Sequence, residues 1–95
     1  MDEINFRNWL SDGDTKKKVQ CDCISRLKRI ERELRIDLDQ KYEDTKLEDI
    51  LEAFSNMGIN TEMEKYGHVN LPVGKYYMST YRHSLKMYIK FKDGK

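Results

Sequence analysis

Ninety-five residues amount to a single domain, and a composition of 38% hydrophobic and 37% charged residues gives a lean core inside a heavily charged shell. A chain this short strains to hold both a core and a deep substrate cleft, and its periodic apolar residues exclude disorder. The net charge of +1 hides segregation: residues 1–13, 14–35, 36–66 and 67–95 carry −2, +4, −6 and +5 respectively.

In chain order, Ile4, Phe6, Trp9 and Leu10 predict a short amphipathic helix over 4–11. Asp12-Gly13 ends it, with the glycine supplying a left-handed turn. Asp14 or Thr15 then caps a second helix over about 15–34. Val19, Cys23, Leu27, Ile30 and Leu34 form its buried stripe, with Ile24 at the edge. Ser25, Lys28, Arg29 and Arg32 take the far side. Ile36-Asp37-Leu38-Asp39 has no helical stripe and is read as an extended connector. Thr45-Lys46-Leu47-Glu48 matches a capping box, which opens a third helix burying Leu47, Ile50, Leu51 and Phe54. Asn56-Met57-Gly58 closes that helix. Residues 59–72, with Gly67, Asn70 and Pro72, form a long loop, and a short extended piece within Gly67–Tyr77 is the most strand the sequence offers. A last helix over about 75–91 buries Met78, Tyr81, Leu85, Tyr88 and Ile89 and sets Ser79, His83, Lys86 and Lys90 on the opposite face. The fold class is therefore all-α, a compact bundle of about four helices in one domain, 1–95.

The chemistry of catalysis is missing. Cys21, Cys23, His68 and His83 number enough for a zinc site, but the cysteines diverge on a helix and the histidines stand apart, unlike paired metal ligands. The same divergence keeps the cysteines from bridging each other. Gly74-Lys75 ends like a phosphate loop, yet six residues separate Gly67 from Gly74 where four are required, and Tyr76 replaces the hydroxyl ligand. Ser79 and His83 are one turn apart without an orienting third group or an oxyanion site. No cofactor, metal or enzyme activity is expected. The acidic N-terminus lacks an apolar signal region and no apolar run nears the ~20 residues of a membrane span, so a reducing cytoplasm is the expected compartment.

Two basic faces remain. On the second helix they are Lys28, Arg29 and Arg32, flanked by Arg26 and Arg35, with Lys16, Lys17 and Lys18 at its start, where positive charge opposes the helix dipole. On the last helix they are Ser79, His83, Lys86 and Lys90, with Arg82 at the edge and Lys75 and Tyr76 at the start. Hydroxyls, lysines and arginines on one face suit phosphate oxygens, and the acidic third helix would turn a polyanion toward them. The competing reading is an ordinary solvated surface.

Three stretches carry a family resemblance. Asn5-Phe6-Arg7-Asn8-Trp9-Leu10, Cys23 through Glu31, and Ser79 through Phe91 together resemble the N-terminal core-binding (SAM-like) domain of phage integrases and other tyrosine recombinases. The pattern also resembles modules that precede nuclease or ATPase domains in bacterial restriction-type proteins. The resemblance implies a helical clamp on the DNA backbone, with catalysis left to a separate domain whose Arg/His/Tyr set has no match here. The expected partner is DNA. The alternative is a protein-interaction module or homodimer, such as a phage-encoded inhibitor or accessory factor, using Tyr76, Tyr77 and Met87 or the acidic helix.

Overall fold

A computed structural model describes residues 1–55, 59–67, 71 and 75–94, apart from the side chains of Lys75 and Tyr76. Among these residues the chain is all-α, with six helices in order: α1 (Glu3–Asp12), α2 (Lys17–Leu34), α3 (Leu38–Thr45), α4 (Glu48–Ala53), α5 (Thr61–Glu64) and α6 (Lys75–Lys92). The radius of gyration is 12.8 Å, close to the ~13 Å of a compact domain of about a hundred residues. The two long helices α2 and α6 pack on each other, α1 lies against both, and α4 packs on α5.

The long helices form where the 3.6-residue pattern is sustained. On α2 the buried residues are Gln20, Cys23, Ile24, Leu27, Ile30 and Leu34. On α6, Met78, Tyr81, Ser84, Leu85 and Tyr88 are buried, with Ile89 only half-buried. Phe6 joins α1 to α6, edge-on to Tyr88 at 5.0 Å and 5.4 Å from Phe91. Phe54 meets Tyr81 at 5.6 Å. Each fully buried Leu, Ile or Phe side chain contributes roughly 1.5–3 kcal/mol to folding.

Several sequence expectations give way here. Val19 is 49% exposed and leaves the α2 stripe. Gln20 is buried in its place: its side chain donates to the Thr15 carbonyl at 2.7 Å and accepts from the Ser11 hydroxyl at 3.2 Å, which ties it beneath the end of α1. Neither Asp14 nor Thr15 caps α2. Lys16 holds that position without a side-chain cap. Gly13 has φ −89°, and Asp14, at φ 62°, makes the left-handed turn instead.

The connector at 36–39 is the start of a helix. Asp37 is extended at φ −109° and ψ 120° and accepts from the Asp39 amide at 2.9 Å, which is N-cap geometry for α3. The capping box at Thr45 does not form, because Thr45 is the last residue of α3. Lys46 and Leu47 then turn left-handed at φ 55° and 65°. Asp49 organises the start of α4 in its stead, accepting from the Thr45 hydroxyl at 2.7 Å and pairing with Lys41 at 3.3 Å. Residues 59–72 are not wholly loop, since Asn60 caps α5 by accepting from the Met63 amide at 2.8 Å. The Asn56-Met57-Gly58 stop lies outside the described residues, as does much of the candidate extended piece. Its final residues, 75–77, belong to α6.

Both ends of the chain meet α3. The Met1 α-ammonium lies 2.9 Å from Glu31, 3.5 Å from Asp37 and 3.8 Å from Asp39. Lys92 pairs with Asp39 at 3.4 Å. The Tyr88 hydroxyl donates to Asp39 and accepts from the Asp2 amide at 2.8 Å. Tyr42 on α3 donates to Asp93.

Candidate nucleic-acid interface

Alpha-helical geometry places residues three and four apart on one face, and α6 uses it to present Ser79, His83, Lys86 and Lys90 together in solvent. Neither Lys86 nor Lys90 forms an ion pair among the described residues. Arg82 is half-buried, with its Nε enclosed in the protein. Lys75 and Tyr76 begin α6, but their side chains lie outside the described set.

On α2 the predicted cations divide into two groups. Lys16, Lys17 and Lys18 are exposed and free of ion pairs among the described residues. They surround a helix start with no side-chain cap and no acid in its first turn. Partial positive charge from the amides there adds to that of the ammonium groups. Lys28 and Arg32, both exposed, instead each have a carboxylate beside them. Lys28 lies 2.6 Å from Glu3, and Arg32 lies 3.3 Å from Glu33. The Lys28 hydrogen bond is the main reason the Glu3 carboxyl sits below its ordinary pKa, with Arg7 assisting. Arg29 is half-buried.

A hollow of about 480 Å³ lies between the end of α1 and the outer side of α6. Its wall includes Thr15, the residue before the lysine triplet, and Lys90 of the α6 stripe. Lys90 therefore lines the hollow, and Lys16, Lys17 and Lys18 follow Thr15 directly in the chain. Sequence reasoning misses the hollow, because its wall comes from residues 9–15 and 87–90 and no spacing rule links them. The only local sign was Trp9, which was assigned to the core as part of the first stripe.

Cys23 is buried beside Ser84, and burial pushes its thiol pKa up against the opposing effects of the Ser84 hydroxyl and the Arg26 charge. Cys21 is exposed, 3.6 Å from Arg7. Both cysteines are free thiols. No cluster of three potential metal ligands occurs among the described residues, and none of their helices is long and apolar enough to cross a membrane. On the opposite charge side, Glu43, Asp44, Glu48 and Glu52 are exposed along α3 and α4.

No family model, curated protein or solved structure matches the chain.

Proposed function

We propose that this chain is a non-enzymatic DNA-binding module of the cell interior that grips phosphates through the start of α2 and the outer face of α6. The observation that carries the reading is the hollow whose wall includes Thr15 and Lys90; Lys16, Lys17 and Lys18 follow Thr15 in the chain, and Lys86 lies one turn before Lys90 on α6. Positive side chains that form no ion pair among the described residues are the ones most available to displace counterions from a polyanion. The acidic surface of α3 and α4 favours the orientation that keeps those residues away from DNA. The likeness to integrase core-binding domains agrees with a backbone clamp that leaves chemistry to another domain. Lys28 and Arg32 recede from the contact set, since each already has a carboxylate.

Fluorescence anisotropy on a labelled 20-base-pair duplex tests the reading. Non-specific DNA binders reach dissociation constants of roughly 10⁻⁴–10⁻⁶ M at physiological salt and tighter below it. Binding at micromolar protein and ~50 mM salt is expected, with the double variant Lys86→Glu/Lys90→Glu weakened at least about tenfold. No binding at that salt ends the DNA reading. The alternative, a protein-interaction module or homodimer, draws on Tyr77, which is exposed on the first turn of α6. Light scattering that finds a dimer disrupted by Tyr77→Ser would favour it.

A further inference from the structure

We propose that the hollow between α1 and α6 receives an unstacked base, so that the preferred ligand is single-stranded DNA and duplex is the weaker one. This rests on the phosphate-binding reading above and names the form of nucleic acid that the same site takes. Trp9, Leu10 and Met87 supply an apolar wall, while Asp12, Thr15 and Lys90 supply polar groups at the same hollow. Its volume, about 480 Å³, falls in the ordinary range for a small-ligand pocket. Trp9 is braced from within the protein: its ring stacks on Phe6 at 6.0 Å with 15° between planes and lies 6.0 Å from Phe91. An aromatic ring held in place in this way can stack a base without first being ordered.

Charge identifies the occupant. An apolar ligand alone would have no use for Lys90 in the wall of the hollow, and a phosphate alone would have no use for indole and thioether. Asp12 repels a phosphate at the wall but accepts a hydrogen bond from an exocyclic amine, which adenine and cytosine carry. A flat, amine-bearing ring joined to phosphates satisfies all of these groups together. Bases in a duplex are already stacked and paired, and extracting one costs binding energy that a single strand does not lose.

The chain contains one tryptophan, so intrinsic emission reports on the hollow alone. The experiment titrates the protein with a 12-mer of deoxyadenylate and with a duplex of the same length, following label anisotropy and Trp9 emission together. Tighter binding of the single strand by about tenfold or more, accompanied by quenching of Trp9, is expected, in line with the contribution of one base–aromatic stack. The variant Met87→Gln, which makes the wall polar without adding charge, checked for native helicity, should reduce the single-strand preference and keep duplex binding within a few-fold. Equal affinity for both ligands with unchanged Trp9 emission overturns base entry and leaves the phosphate reading intact. An unaltered preference in Met87→Gln overturns it as well. Failure to bind either ligand removes both readings.

Discussion

The Tyr88 hydroxyl stands between the first and third helices, donating to Asp39 and accepting from the Asp2 amide. Burial, then the hydrogen bond to Asp39, raises its pKa well above the usual tyrosine range. Tyr88→Phe should lower stability by about 1–3 kcal/mol, the cost of leaving buried polar partners unmet, as read from a urea midpoint. The Met1 amine is also raised above its ordinary 8.0. Burial opposes its charge, but the Glu31 hydrogen bond and the charges of Glu31, Asp39 and Asp37 outweigh burial. A group whose folded pKa is raised contributes fully below its unfolded value, and that contribution fades as pH climbs through the folded value. Stability should therefore begin to fall above pH 8 and fall further above pH 10, where unfolded tyrosine ionises. Thermal melts from pH 7 to 11 check this, and Glu31→Gln should flatten the first decline. An identical decline in that variant would assign it elsewhere.

At the scale of elements, α2 begins without a stabilising side-chain cap. Lys16 has extended N-cap geometry, φ −61° and ψ 145°, but no side-chain oxygen to offer the first amides. Lys16→Asp should raise stability by roughly 0.5–2 kcal/mol through a new cap while weakening DNA binding. A variant that gained stability and kept full affinity would remove Lys16 from the contact set. Lys46 is exposed and left-handed at φ 55°, and Lys46→Gly should stabilise by up to about 1 kcal/mol by relieving that conformation.

The same elements show how far the sequence could be read. Residues 17–34 and 75–92 were legible because their apolar positions repeat over four or more turns. Residues 38–45 were not, because Leu38 is the one buried residue of α3 and a lone apolar position has no period. Its start lies in Asp37, whose capping role depends on backbone geometry that its neighbours do not announce. The Thr45–Glu48 spacing misled for a related reason: a capping box requires an extended threonine, and this one completes a helix. The basic segments could be seen in the composition. Which lysines stay unpaired could not, since Glu3 and Lys28 meet only after α1 folds back on α2.

For the whole molecule, stability is expected to be a modest total, about 5–14 kcal/mol for a chain of this length. Leu27, fully buried, should cost 2–5 kcal/mol on truncation to alanine, enough to move the denaturation midpoint by a large fraction of its value. Charge segregation also predicts a number. If Lys16, Lys17, Lys18, Lys86 and Lys90 are the phosphate contacts, the logarithm of duplex affinity should fall with the logarithm of salt at a slope of about −4 to −5. Full participation of Lys28 and Arg32 would steepen it to about −6, so the measured slope tells whether their ion pairs persist in the complex.

Asp39 is a clasp on both ends of the polypeptide, holding the Met1 ammonium on one side and Lys92 and Tyr88 on the other. Chain ends ordinarily loosen independently of each other. Here they share a fastening, so opening one end withdraws a partner from the other. Amide hydrogen exchange should show the first turn of α1 and the last turn of α6 losing protection in step, and Asp39→Ala should accelerate exchange at both.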